Sequence, residues 1–195
     1  METDAPAQPA SKPEAPGDLP LVRELVNTYD PSDNTDVIGA VAPLRAWLLE
    51  HGLLRPAEAE ALTEADVGRV ARFREALRGL LRVNHGDQLD PEAAAVLAAE
   101  SERPVLRVCI DDDGIPCLTP AGEGVDRVVA RLLAGIAHAE AEGTWRRLKV
   151  CADDTCAFAF YDESRNGSRA WCSMQTCGNR NKARRYRRRA VGPAD

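Results

Sequence analysis

The stretch Cys151-Ala-Asp-Asp-Thr-Cys156, followed after fifteen residues by Cys172-Ser-Met-Gln-Thr-Cys177 and then by Gly178-Asn-Arg-Asn-Lys-Ala-Arg-Arg-Tyr-Arg-Arg-Arg189, decides how this chain of 195 residues ends. Four thiolates in two pairs match a closed structural zinc site, where soft sulfur donors fill every tetrahedral position and leave none for a catalytic water. Two disulfides are the competing reading. The N-terminus, Met-Glu-Thr-Asp-Ala-Pro-Ala-Gln-Pro, has neither the cationic start nor the apolar run of an export signal, which favours a reducing compartment and hence the metal. The expectation is one structural Zn2+ on Cys151, Cys156, Cys172 and Cys177.

Between the pairs, Ala157-Phe-Ala-Phe-Tyr161 suits a strand, Asp162 to Ser168 contains the Asn-Gly signal of a tight turn, and Arg169-Ala-Trp171 reads as the returning strand. The module is expected to run knuckle, hairpin, knuckle, basic helix. At fewer than fifty residues it needs its metal to fold.

The run Phe160-Tyr-Asp-Glu-Ser-Arg-Asn-Gly-Ser-Arg-Ala-Trp-Cys-Ser-Met-Gln-Thr-Cys-Gly-Asn-Arg-Asn-Lys182 resembles the CGNR zinc finger, named for Cys177, Gly178, Asn179 and Arg180. Chains of that kind carry an N-terminal ABATE domain, described as a putative stress-induced transcription regulator. Leu25-Val-Asn-Thr28 resembles its early Asn-Thr signature. Ala170 departs from the pattern, standing where a second basic residue is expected before the tryptophan. The resemblance implies a role in transcription.

Charge supports a nucleic-acid role for this end. Residues 145–191 hold twelve Lys and Arg against four Asp and Glu in a chain whose net charge is -6, so an acidic body carries a basic tail. A helix over residues 178–190 would place Ala183, Tyr186 and Ala190 on a narrow apolar stripe packed against the hairpin. Asn181, Arg184, Arg185 and Arg188 then face outward as first candidates for base contacts in a major groove, with Arg180, Arg187, Lys182 and Arg189 on the flanks as phosphate clamps. Gly178 would permit close backbone approach beside the metal, Asn179 would cap the helix start, and Arg180 would pair with Asp162. Those structural roles for Asn179 and Arg180 stand level with direct DNA contact. Trp171 reads as hairpin core rather than a base-stacking platform.

The remainder reads as a mostly helical domain with one β-hairpin, so the fold class is α+β. Residues 1–18, rich in proline, are expected to be disordered. Residues 19–143 form the ABATE-like domain, 144–190 the zinc finger, and 191–195 a tail. Helices are expected over Leu19 to Tyr29; from a Thr35 or Asp36 cap through Trp47 and Leu48 to Gly52; from Pro56; from Thr63 to Val83; over Pro91 to Glu100; and over Val125 to Ala141. Val105 to Ile110 and Ile115 to Thr119 flank Asp111-Asp-Asp-Gly114, a turn rather than a calcium loop. Cys109 and Cys117 would sit nearly opposite each other as two reduced thiols.

No ligand-spaced histidines, catalytic constellation or membrane span is apparent, which points away from an enzyme. The expectation is a cytoplasmic, nucleoid-associated regulator that binds double-stranded DNA and uses its acidic domain as sensor, dimerisation surface or contact for the transcription machinery; a homodimer is one open arrangement, since a second copy would add specificity. Alternatives are an adaptor whose basic finger grips an acidic protein surface such as RNA polymerase, and an RNA-binding protein.

Overall fold

The computed structural model describes residues 15–103 and 105–190. The fold is organised on one long helix, α4 (Glu64–Val83). Thr63 caps it by accepting from the Asp66 amide, while the Asp66 carboxylate accepts from the Thr63 amide, a reciprocal box that fixes where the helix starts. Val67, Val70, Phe73, Leu77 and Leu81 then recur at helical spacing and are all buried.

Around α4 lie α1 (Leu19–Val26), α2 (Val41–Glu50), the short α3 (Pro56–Glu60), α5 (Pro91–Ser101) and α6 (Gly124–Ala141). The proline-led starts of α3 and α5 fall where the sequence places them. So does the end of α2 before Gly52, which adopts a φ of 60°. The start of α2 differs from expectation. Thr35 and Asp36 form a two-residue strand, β2 (Thr35–Asp36), paired with β1 (Tyr29–Asp30), and Val37 is 55% exposed. Asp36 caps no helix because its carboxylate is taken by the buried Arg74, through two bonds of 2.8 Å.

The expected disorder over residues 1–18 also needs correction. Ala15 is buried and the Leu19 amide bonds to the Pro16 carbonyl. Asp18 packs so close to Gly135 of α6 that a β-carbon there would lie 2.6 Å from the Asp18 side chain. Residues 1–14, like the tail 191–195, lie outside the described residues.

The hairpin consists of β3 (Val105–Ile110) and β4 (Pro116–Ala121), antiparallel. Asp111 forms its turn by accepting from the amides of Asp113 and Ile115. Cys109 and Cys117 stand directly opposite, with Cα atoms 5.1 Å apart, and are joined in a disulfide. That overturns the expectation of two free thiols, since the register alone brings the pair within bridging range.

In the C-terminal segment, β5 (Leu148–Val150) pairs with β6 (Ala159–Tyr161). The expected partner of β6, residues 169–171, is not a strand. The loop that closes the real hairpin is the first cysteine knuckle itself, and the Cys151 amide continues the pairing to the Phe158 carbonyl. Both strands belong to the same apolar cluster as α1, α4 and α6, which contains Leu148, Val150, Ala157 and Ala159.

Hydrogen bonds cross the same boundary. Asn27, in the Asn-Thr pair after α1, grips Ala159 like a neighbouring strand: its Nδ2 donates to the carbonyl at 3.0 Å and its Oδ1 accepts from the amide at 2.7 Å. Asn84 donates to the carbonyls of Trp145 and Leu148, and His85 meets the Ala170 carbonyl. Arg78, buried on α4, donates to Val26 O, Tyr29 O and Ala157 O. Replacing Arg78 by Met should therefore lower unfolding stability in urea by about 3 to 5 kcal/mol, because two buried carbonyls and one part-buried one lose a charged donor at once.

Candidate metal centre and basic helix

The first knuckle follows from local hydrogen bonding. Asp153 accepts from the amide and hydroxyl of Thr155, and its own carbonyl accepts from the Cys156 amide at 2.8 Å, which turns the chain back on itself between the first two thiols. In the second knuckle Ser173 accepts from the Thr176 amide, and a wide π turn over Met174–Gly178 aims Cys177 inward. That turn runs directly into α7 (Asn179–Ala190).

The four sulfurs converge. The ligand atoms of Cys151, Cys156, Cys172 and Cys177 lie within 4.8 Å of one another, with 3.6 Å between Cys156 and Cys172 and 3.7 Å between Cys172 and Cys177. A tetrahedron of Zn–S bonds of about 2.3 Å has edges of roughly 3.8 Å, so the donor set fits one zinc ion. All four expected ligands are brought together, and a closed all-sulfur shell confers a structural role. Burial pushes the Cys177 thiol up to about 11 and the Cys172 thiol up further, so metal uptake must displace protons from these groups.

Just after β6, Asp162 is fully buried and organises the loop that precedes Trp171. It accepts from Lys149 Nζ at 2.9 Å, from the amide and hydroxyl of Ser164, and from the Arg169 amide. Burial works against its ionisation, but these donors outweigh that and hold it at about 2. Its support role was expected. Its partner was not: Lys149 takes the place proposed for Arg180. Lys149 is one of only three lysines in a chain with 25 Lys and Arg, a bias that could have flagged it.

Arg180 and Arg184, one turn apart on α7, instead reach Asp153, whose side chain is also fully buried. Arg184 Nη1 lies 3.1 Å from its Oδ1, and Arg180 Nη1 3.6 Å from its Oδ2. Burial again opposes ionisation, and Thr155 and Arg184 overcome it, lowering the Asp153 pKa. Asn181 is likewise turned inward and donates to the Cys177 carbonyl. Asn179 is the first residue of α7 and closes the preceding π turn through its backbone amide, while its side chain donates back to the Gln175 carbonyl. Gly178 faces the exposed Met174 side chain rather than the metal.

The helix is thus rotated from the expected setting. Ala183 is exposed and Tyr186 is 76% exposed, so the apolar stripe does not pack on the hairpin. Two alanines and a tyrosine offer little area to bury, whereas a buried carboxylate left without cations costs several kcal/mol. Of the eight expected DNA contacts, Arg180, Arg184 and Asn181 are engaged inward. Lys182, Arg185 and Arg187 are exposed and make no ion pair among the described residues. The side chains of Arg188 and Arg189 lie outside the described residues. Tyr186, assigned to the core by its spacing, stands in the middle of the outward face. Trp171 lies outside the hairpin of β5 and β6, in the irregular segment before Cys172, where it is partly buried and its Nε1 is buried without a partner among the described residues.

Two family models match the chain: ABATE, a putative stress-induced transcription regulator, over residues 19–146, and the CGNR zinc finger over residues 147–190. No curated protein matches significantly. Among the described residues no helix is long and apolar enough to cross a membrane.

Three outcomes are expected. The purified chain should hold one zinc, and the Cys172→Ser variant less. Because the metal hairpin shares the helical core, zinc removal should lower the single thermal transition rather than abolish a separate one, as calorimetry with and without a chelator would reveal. Asp162→Asn should cost about 3 to 5 kcal/mol at pH 7 by stranding Lys149. The Asp162 contribution is fully present above its ordinary pKa of 3.8 and is lost as pH falls through about 2, so in urea unfolding the deficit should narrow only below about pH 4.

Proposed function

The chain belongs to the ABATE family and ends in a CGNR zinc finger, and from this premise we propose that it is a transcription regulator that binds duplex DNA through the outward face of α7. The observation that carries the reading is the set of uncommitted cations on that face. Lys182, Arg185 and Arg187 flank the exposed Tyr186 on a helix held to a rigid metal centre. A helix of about 10 to 12 Å diameter fits the major groove. Arg185 reads as the base-contacting residue, Lys182 and Arg187 as phosphate contacts, and Tyr186 packs against sugar or a thymine methyl. Arg180 and Arg184 act one step behind, neutralising Asp153 so that the helix keeps its setting.

The acidic N-terminal segment is the natural place for sensing and for pairing two copies, since a single finger-sized module gains useful specificity from a second. The bonds from Asn27 and Arg78 to the metal hairpin give such a signal a direct mechanical route to the finger. A regulator of this kind works on the nucleoid in the cytoplasm.

The test is selection of duplex fragments by the zinc-loaded protein at near-physiological salt, followed by salt titration of the enriched site. Enrichment of a discrete motif is expected. Lys182→Ala and Arg187→Ala should each flatten the slope of log affinity against log salt by about 0.9, while Arg185→Ala relaxes the motif. Arg184→Ala should differ in kind, lowering thermal stability by stripping a cation from Asp153. Retention by RNA polymerase without duplex affinity, or a preference for single-stranded RNA, would defeat the proposal.

A further inference from the structure

We propose that the cavity between α1, α2 and β6 is a binding site for a lipophilic organic cation. The cavity measures about 680 Å³, within the usual span for small-molecule sites of roughly 300 to 1,000 Å³. Aromatic residues line it from both sides, Trp47 from α2 and Phe158, Phe160 and Tyr161 from the metal hairpin; Trp47 and Phe160 are buried, with one face covered by His51 and Arg169 respectively, so the ring open to a ligand is Phe158. Phe158 is 45% exposed even though its own carbonyl is fixed by the Cys151 amide. Ring faces are negative and attract cations, most strongly where water is partly excluded.

The charges at the rim have the same preference. Glu50, at the end of α2, and Glu163, just beyond β6, line the cavity and make no ion pair or hydrogen bond among the described residues. Glu50 also stands at the negative end of the α2 dipole, which adds to the pull on a cation. Two guanidiniums share the lining. Arg169 lies over the Phe160 ring at 4.8 Å, and its guanidinium donates to the carbonyls of Trp171 and Cys172. Arg23 pairs with Glu24 at 3.4 Å, and Glu24 also accepts from His51, which stacks on Trp47. Arg23 and Arg169 thus stand against Glu24, Glu50 and Glu163 in the lining, an excess of one negative charge beside the exposed Phe158 ring. That combination selects a delocalised or quaternary cation with an apolar body over an anion or a small hydrated ion.

Position gives the site its interest. One wall belongs to the ABATE segment, and the other is the loop and strand that follow zinc ligand Cys156, so a bound cation bridges the two. The proposal does not depend on what α7 binds.

The experiment is a fluorescence-polarisation titration of rhodamine 6G, a lipophilic cation, with the zinc-loaded full chain, using anionic fluorescein as the counter-probe. Saturable binding of rhodamine 6G with a Kd on the order of 10 µM is expected, with none for fluorescein. Glu50→Gln combined with Glu163→Gln, and separately Phe158→Ala, should weaken it roughly tenfold with zinc content and melting unchanged. Asp112→Asn with Asp113→Asn, on the distant hairpin turn, should leave it unaltered. Absence of saturation, equal binding of fluorescein, or an equal loss in the hairpin-turn variant would overturn the assignment.

Discussion

The buried guanidinium of Arg78 is the interaction on which the arrangement of this molecule depends. It projects from the central helix into a region where three chain segments end with unpaired carbonyls: the last turn of α1, strand β1, and the residue after zinc ligand Cys156. A carbonyl withdrawn from water needs a donor, and Arg alone among side chains supplies several in a fixed plane. Glu75 balances the charge at 2.9 Å, and the Tyr29 ring lies beneath both Arg78 and its neighbour Arg74. The zinc hairpin is consequently a wall of the same core as the helices.

A second buried charge sets what the surface offers. Asp153 lies out of water beside the metal and must find cations, and α7 turns until Arg180 and Arg184 supply them. This orientation decides which basic residues are structural and which are free. It also explains how so dense a run of positive charge is tolerated on one helix, since part of it answers a carboxylate within the module.

These two interactions mark the limit of what could be read beforehand. Helix starts at Thr63, Pro56 and Pro91, the ends at Gly52 and Gly143, the β3 and β4 hairpin and the four zinc ligands each carry a local signal within a few residues, and all were legible. The partner of β6 was not, because strands of three residues have no alternation long enough to identify a mate. The roles of Arg74 and Arg78 carried no local signal, since periodicity counts carbon and is blind to carbonyls and carboxylates that distant segments present. The rotation of α7 was missed for the same reason. Its outcome hangs on a carboxylate some thirty residues upstream, paired only once the chain has folded. The proposed DNA face is accordingly narrower than the eight residues named from the sequence, and it gains Tyr186.

Beyond the shared apolar core, the two family segments are joined by hydrogen bonds between side chains on one partner and backbone on the other. Asn27 and Arg78 address the amide and carbonyl of Ala159 and the carbonyl of Ala157, groups that every amino acid possesses. Substitution at positions 157 and 159 leaves those groups in place, provided the new side chain fits. Loss or gain of a single residue between Cys151 and Ala159 does not, because it slides the wrong groups opposite both Asn27 and Arg78. Descendants of this chain are thus freer to vary the letters at 157 and 159 than the length of the segment that carries them, and a finger grafted onto an unrelated protein would arrive without the sockets that orient it.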